Sequence, residues 1–426
     1  MFKASCPKNS LKALLLTAVL ASALVPFSIA SAAPAVQFEQ PKTYEAKDLL
    51  PPELLSGPHF KVRDRVISSG YMHIYTVDSD YGVFEVTGDF ALRRMIREIG
   101  AIASLQEAKK GEAYLGGIKA AAMQPIEFGR NLVTDPVDTV SGVPKGIAAL
   151  FMNVNTAVTK KANPSEDSKV EQLLAVSSVK RMLANKLGVD VYTSNKALQK
   201  EMNGMAWAAT LGSLTVSAAL TPVGGPAVTA VSMTSTAQQL NDYLAEYPPQ
   251  KLRQVNTEKL TAMGISEDLA NRFLDAPGYT PTHETVIVNA LETLSGAKGR
   301  DAFIRYILPA EDEETAFYFQ YVAETMRDYQ KKVAPIEEIT AYGLIVFARA
   351  SNGTVIIPMP LDDTIKTESA LEAVSDAMLS YKAMNPKLKK YEMWLTGTAS
   401  KPAKEEMAKL GIKPVEQVGK QVDLTY

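Results

Sequence analysis

The segment YGLIVFARA-SNG-TVIIP, residues 342–358, decides the fold of the C-terminal part of the chain. Runs of β-branched and aromatic residues flank Asn352-Gly353, and such a pair is typical of a tight hairpin turn because both residues tolerate positive φ. Further elements follow this hairpin: a helix over 368–384, a strand over 391–395, a short helix ending near residue 411 and a strand over 412–418. Together they predict a small C-terminal α/β domain over 338–426.

The chain upstream of this domain is predominantly helical in pattern. Ser266, Thr282 and the acidic run 311–314 indicate helix starts, because capping hydroxyls and first-turn acids stabilise a helix N-terminus. The stretch 203–241 contains no charged residue and is divided by a proline- and glycine-rich turn. We predict a helical domain over 168–335 in which this uncharged hairpin is buried. Insertion into a bilayer or packing between copies of the chain is the alternative.

Residues 59–160 form a third region. The β-branched and aromatic runs 71–77 and 83–86 predict a β-hairpin, and an amphipathic helix follows from Leu92 to Leu105. Before this region, residues 33–58 contain five prolines and no sustained period, so they predict an extended proline-rich leader. The fold class expected for the whole chain is α+β, predominantly helical.

The N-terminus predicts export. Three lysines precede an apolar run over 13–24, and Ala30-Ser31-Ala32 supplies the small residues that signal peptidase requires. We therefore expect a signal peptide over 1–32 and a periplasmic or extracellular mature chain. Its cleavage removes Cys6, the only cysteine, so the mature protein would have no disulfide and no cysteine nucleophile.

Composition excludes further classes. The formal net charge of −2 argues against a nucleic-acid partner, because such proteins usually carry a basic excess. The three histidines, His59, His73 and His283, have no metal-ligand spacing, and Ile287 stands where a zincin would have its second histidine. The sequence predicts no cofactor, no metal site and no catalytic residue set.

Three weaker patterns leave an enzyme open as an alternative. His73 lies in a predicted strand near Asp78 and Asp80, where an acid–base cluster or an ordinary hydrogen-bonded histidine would fit. Asp362-Asp363 would hold a cation or form a solvated turn, and the second interpretation is favoured. The turn 396–400 before the last helix would bind an anion, or Ser400 would simply cap that helix, which is also favoured.

An eleven-residue repeat is the most specific internal pattern. Gln124-Pro125-Ile126-Glu127 recurs as Asp135-Pro136-Val137-Asp138, and eleven residues make three helical turns. The repeat predicts an amphipathic, proline-punctuated helix that packs on its own protein or on a lipid surface or partner. Its apolar stripe comprises Ile126, Val133, Val137, Val140, Ile147 and Leu150.

These patterns predict an exported, non-catalytic bacterial envelope protein that associates with a lipid surface or an envelope protein through the amphipathic segment. An exported hydrolase with a site between the helical and C-terminal domains is one alternative. A pore-forming or toxin-like protein that uses the 203–241 hairpin is another.

We expect the mature protein to co-sediment with liposomes and Val137→Asp or Val140→Asp to abolish this, because a carboxylate on the apolar stripe would have to enter the bilayer interface. Sedimentation followed by gel analysis of pellet and supernatant measures it. Wild-type protein that stays entirely in the supernatant would contradict the prediction.

Overall fold

The computed structural model shows a mixed fold of helices and sheets, as the α+β class predicts. It describes residues 37–110, 164–211, 235–343, 345–420 and 422. The predicted signal peptide, the amphipathic segment 124–151 and residues 212–234 of the uncharged hairpin lie outside these described residues. Among the helices in the described ranges, none is long and apolar enough to cross a membrane.

The N-terminal part is a six-stranded antiparallel sheet. The predicted hairpin is confirmed, because the two longest strands pair from Ile74↔Thr87 to Ser79↔Gly82. The strands are β1 (Thr43–Glu45), β2 (Ser56–Gly57), β3 (Phe60–Val62), β4 (Arg65–Ser68), β5 (His73–Ser79) and β6 (Gly82–Thr87).

Residues 43–57, which were predicted to belong to an extended leader, are built into this sheet. They form β1, helix α1 (Ala46–Leu49), helix α2 (Pro52–Leu55) and β2. Each element is too short to give a detectable hydrophobic period. Pro52 begins α2 at a position where a missing N–H is harmless, so a proline that resembled a breaker in the sequence starts a helix. Leu54 of α2 is buried in the core and packs this segment against the sheet.

Helix α3 (Asp89–Lys110) confirms the predicted amphipathic helix and connects two parts of the core. Its first half buries Leu92, Ile96 and Ile99 against the N-terminal sheet. Its second half places Ile102 and Leu105 against the next two helices. One helix therefore contributes apolar side chains to two clusters.

The middle of the chain is helical, as predicted. Between 168 and 335 the regular elements that the structure describes are all helices, apart from an isolated bridge from Lys298 to Glu338. The helices are α4 (Pro164–Leu187), α5 (Lys196–Leu211), α6 (Ser235–Glu246), α7 (Pro249–Ala262), α8 (Glu267–Leu274), α9 (Pro281–Thr293), α10 (Arg300–Ile307) and α11 (Glu313–Lys332).

Two of the predicted helix starts are confirmed and one is wrong. Ser266 caps α8, and the Asp312 carboxylate accepts from Thr315 N at 2.7 Å at the start of α11. Helix α9 begins one residue before Thr282. Thr280 is its cap because Pro281, with φ already helical, takes the first position.

The C-terminal part is a five-stranded sheet with the order β13-β11-β9-β8-β7. The Asn-Gly hairpin is confirmed, while β7 was not predicted; it begins at Ile336, directly after the end of the predicted helical region. The elements are β7 (Ile336–Tyr342), β8 (Ile345–Ala350), β9 (Thr354–Met359), β10 (Asp363–Thr364), α12 (Glu368–Met384), β11 (Lys390–Leu395), β12 (Thr398–Ala399), α13 (Lys401–Lys409) and β13 (Ile412–Val415), followed by a single 3-10 turn (Val418–Lys420).

Helices cover both faces of this sheet, so its strands are buried on two sides. On one face Phe347 stacks on Tyr381 of α12, with ring centroids 4.3 Å apart. On the other face Trp394 meets Tyr329 of α11 at 5.0 Å. Alternate residues of β8, β9 and β11 therefore belong to different cores, which explains why these strands are apolar almost throughout.

Gly299→Ala should lower the free energy of unfolding far more than Gly296→Ala. Both glycines have left-handed φ, +81° and +80°, so both substitutions cost about 1–2 kcal/mol in backbone strain. Only at Gly299 would the added Cβ lie 2.0 Å from the Ile339 carbonyl oxygen, whereas at Gly296 nothing lies within 4 Å. We expect a total loss above about 3 kcal/mol for Gly299→Ala. Urea unfolding measures both values, and equal losses would contradict the assigned contact.

Candidate functional site

Three distant segments bring their polar side chains together where the N-terminal sheet meets the C-terminal part. His73 begins β5, Asp89 begins α3, and Asp362 immediately precedes β10. The backbone positions them: the N–H groups of Asp362 and Asp363 donate to the Tyr71 carbonyl at 3.0 and 3.1 Å. We call His73, Asp89 and Asp362 the His-Asp cluster.

The cluster is held by short hydrogen bonds. His73 Nδ1 lies 2.8 Å from Asp89 Oδ1, and the Tyr75 hydroxyl donates to the same oxygen at 2.6 Å. Asp362 Oδ2 accepts the backbone N–H groups of His73 at 3.2 Å and Asp89 at 3.1 Å. The Asp362 carboxylate therefore lies at the N-terminus of α3, where the helix dipole favours an anion.

A third carboxylate, that of Asp363, lies beside the cluster. Asp363 Oδ2 accepts from the Ser68 hydroxyl at 2.7 Å and from the Tyr44 hydroxyl at 3.0 Å. Tyr44 also contacts the His73 ring edge-on, with centroids 5.6 Å apart. The segment that the sequence predicted to be a leader thus supplies a side chain that orients the site.

Two glycines allow the close approach of the chain at this point. At Gly397 a Cβ would lie 1.9 Å from the Asp362 carbonyl oxygen, so no larger residue fits without a backbone shift. Gly88 has φ +104°, and its Cβ would lie 2.8 Å from Met72 Cε. Both positions need glycine for a physical reason.

Burial controls the electrostatics of the cluster. His73 and Asp362 are only 5% and 4% exposed. Burial, followed by the charge of Asp89, raises the pKa of Asp362 to about 7, although the His73 imidazole and two backbone N–H groups oppose this. For His73 burial lowers the pKa, but the hydrogen bond and charge of Asp89, with the charges of Asp362 and Asp363, outweigh it and raise the pKa.

The two tyrosines remain protonated hydrogen-bond donors at neutral pH. Burial and the neighbouring Asp363 carboxylate raise the pKa of Tyr44 to about 12. Burial and Asp89 raise the pKa of Tyr75 further. Both hydroxyls therefore donate to carboxylate oxygens, which holds those oxygens in place.

The His-Asp cluster has the donor set of a metal centre. One ligand atom from each of its three residues lies within 4.8 Å of the others, so a single ion would reach all three. One imidazole nitrogen with two carboxylate oxygens suits Zn²⁺ or Mn²⁺. Three protein ligands would leave a fourth position of the ion for water or substrate, and the Asp89 side chain is 36% exposed.

Sequence reasoning identified His73 but assigned it the wrong partners. Asp78 pairs with Arg63 at 2.8 Å and Asp80 pairs with His59 at 2.9 Å. Successive side chains of a strand alternate between faces, so a histidine five residues before Asp78 points to the opposite side of the sheet. The true partner, Asp89, lies beyond the following strand.

The predictions for the two C-terminal segments are corrected as well. Asp362 and Asp363 are buried and do not form a solvated turn. The amides of Gly397, Thr398 and Ser400 donate to carbonyls of residues 361, 362 and 364, so they are not free to bind an anion. Ser400 is a helix cap, as favoured, because its hydroxyl accepts from Ala403 N at 3.1 Å.

The other sequence-predicted residues do not join this site. His283 is fully buried, bonds Gln320 at 2.8 Å, and has a pKa lowered to about 4 by burial. The predicted lipid or partner interface, consisting of Ile126, Val133, Val137, Val140, Ile147 and Leu150, lies outside the described residues and stays a prediction.

Comparison with known proteins gives no match: no protein-family model, no curated protein and no solved structure is similar to this chain. Its function must therefore be argued from the site.

In chelator-treated protein, the free energy of unfolding should fall as the pH rises from 5 to 8. Asp362 and His73 both have raised pKa values, so the folded state binds protons more tightly than the unfolded chain and loses stability as they dissociate. Asp362→Asn keeps the acceptor for both backbone N–H groups and removes one titration. Urea unfolding at several pH values should give the variant a smaller loss, and an unchanged slope would contradict the assignment.

Proposed function

We propose that this chain is an exported protein that binds one divalent metal ion through His73, Asp89 and Asp362. The observation that carries the proposal is the convergence of one imidazole and two carboxylates, from three distant segments, within reach of one ion. The predicted export and envelope location belong to the proposal and rest on the N-terminal sequence.

The charges of the site support a cation. Asp89, Asp362 and Asp363 bring three carboxyl groups to one imidazole, and two of these carboxyl groups are almost completely buried. In the absence of an ion, burial and then the charge of Asp89 raise the pKa of Asp362, so a proton removes an unfavourable buried charge. A divalent ion would replace that proton and let both ligand carboxylates ionise, which is the usual linkage between metal binding and proton release.

The surrounding residues orient the ligands as an outer layer of a metal site requires. The hydroxyl of Tyr75 and the backbone N–H groups of His73 and Asp89 each bind a ligand carboxylate. Such partners fix the direction of the lone pairs that face the ion. Tyr44 packs against the imidazole ring from the other side.

The ion would connect three parts of the molecule. His73 belongs to the N-terminal sheet, Asp89 begins the helix that leads into the helical part, and Asp362 lies in the C-terminal α/β part. We propose these three parts as the domain arrangement of the mature chain. An ion at their junction would stabilise the folded state by an amount that grows with the logarithm of the free ion concentration above the Kd.

Metal-assisted hydrolysis is a second candidate, favoured by one observation. The structure brings together the three segments that would form the site of an exported hydrolase. They are His73, Asp362-Asp363 and the turn 396–400. The fourth position of the ion would hold a water molecule for the metal to activate. A panel of ester, phosphate and peptide substrates, assayed with Zn²⁺ and Mn²⁺, tests this, and no turnover with either ion would exclude it.

Chelator-treated mature protein should bind one equivalent of Zn²⁺ or Mn²⁺, measured by isothermal titration calorimetry and by metal content after dialysis. Asp362→Asn and His73→Gln should each weaken binding at least about 100-fold, because loss of even an outer partner typically costs about 10- to 100-fold. The binding should release protons, seen as a dependence of the measured heat on the buffer.

Asp80→Asn is the matched control. It removes the carboxylate of an exposed His–Asp pair, His59 with Asp80, whose nitrogen–oxygen distance of 2.9 Å resembles that of His73 with Asp89. Metal affinity should be unchanged in this variant. A folded wild-type protein that binds neither ion would contradict the proposal and leave the cluster as an ion-pair contact.

A further inference from the structure

The C-terminal part contains a cavity of about 450 Å³ that the metal proposal does not use. It lies between the β8-β9-β11 face of the sheet and helices α12 and α13, and residues of α10 and α11 close one end. The volume is within the range of roughly 300–1,000 Å³ that is common for small-molecule sites.

The wall of the cavity is apolar and comes from many elements. Aromatic rings of α10 and α11 form one side, and methionine and branched aliphatic side chains of the sheet and the two helices form the rest. Representative lining residues are Tyr306, Phe319, Met359, Val374, Met393 and Met407. The space is about half open to solvent, so its apolar wall faces water when no ligand is bound.

One hydroxyl in the wall has no partner. Thr364 is 7% exposed, and its Oγ1 is buried without a hydrogen bond within the described structure, although the residue lines the cavity. A buried hydroxyl without a partner is unfavourable by about 1–3 kcal/mol, and most native structures satisfy such groups. Rotation about the Thr364 Cα–Cβ bond would turn the hydroxyl toward the cavity, where a ligand with one hydrogen-bonding group would supply the missing partner.

The charged groups at the cavity compensate each other. Lys366 Nζ lies 2.7 Å from Glu406 Oε1, and both side chains are largely buried. Lys409 also contacts Glu406 Oε1, at 2.9 Å, from the outer side. Among the described residues of the wall, the lysine and the glutamate are paired with each other, so they offer no uncompensated charge to a ligand ion.

We propose that this cavity binds an uncharged, mainly apolar small molecule whose single hydroxyl or carbonyl group bonds to Thr364. An apolar cavity of roughly 150 Å³ accommodates benzene, so the volume here suits a molecule two to three times that size. The apolar wall supplies affinity through buried surface, and Thr364 fixes the orientation of the ligand. The metal ligands His73, Asp89 and Asp362 are not among the residues that line this cavity.

The test uses the full mature chain and the uncharged fluorescent probe N-phenyl-1-naphthylamine. The probe should bind with a stoichiometry of one, and naphthalene and 1-naphthol should displace it. In the wild-type protein 1-naphthol should bind more tightly than naphthalene by about three- to tenfold, the effect of one net hydrogen bond.

Thr364→Val separates the hydroxyl from the apolar wall, because valine has nearly the same shape. The preference for 1-naphthol over naphthalene should disappear in this variant, while the affinity for naphthalene stays within about twofold of wild type. A preference that survives the substitution would overturn the role of Thr364.

Ala373→Phe fills the cavity from α12 and should abolish binding of all three compounds. Leu379→Phe is its matched control, because it adds a ring to the same helix at a side chain that is 76% exposed. Met407→Phe narrows the cavity from α13, and it replaces Ala373→Phe as the cavity-filling variant if that substitution unfolds the protein. Equal binding by the cavity variants and the control, or no binding by the wild-type protein, would overturn the proposal.

Discussion

The Asp362 carboxylate, which accepts the backbone N–H groups of His73 and Asp89, is the interaction on which the arrangement of the molecule depends. It binds the first residue of α3 and the start of β5 from a position 273 and 289 residues further along the chain. Because two amide donors converge on one buried oxygen, this oxygen joins the N-terminal sheet, the long helix α3 and the C-terminal part at one point. The burial that gives this contact its strength also raises the pKa of Asp362.

Most individual elements could be predicted from the sequence, because their signals are local. The 342–358 segment specified its hairpin through Asn352-Gly353, and helix α12 begins and ends at the residues that its pattern indicated. The failures have physical causes. Residues 43–57 form elements of two to four residues, which show no period. Strand β7 begins Ile-Glu-Glu-Ile, and apolar residues three apart are typical of a helix rather than of a strand.

The His-Asp cluster could not be predicted in the same way, because its members are far apart in sequence. The sequence indicates both His73 and Asp362 as candidate site residues, yet no local pattern connects them. Their contact depends on backbone pairing between Tyr71 and residues 362–363, and on the close approach that Gly397 allows. Burial then decides the chemistry, since Asp362 in a solvated turn would not have its pKa raised in this way.

Tyr44 and Glu39 contact residues that lie far away in the sequence, and this separation affects the order in which the chain folds. Tyr44 bonds Asp363, and the backbone N–H of Glu39 donates to the Lys366 carbonyl at 2.8 Å, so these contacts span most of the chain. Closing loops of this length is entropically costly and slows folding. The N-terminal sheet therefore lacks its final partners until the last quarter of the polypeptide is present. Under the export proposed above, the part of the chain transferred first would lack these partners until late in transfer and would complete its contacts only afterwards.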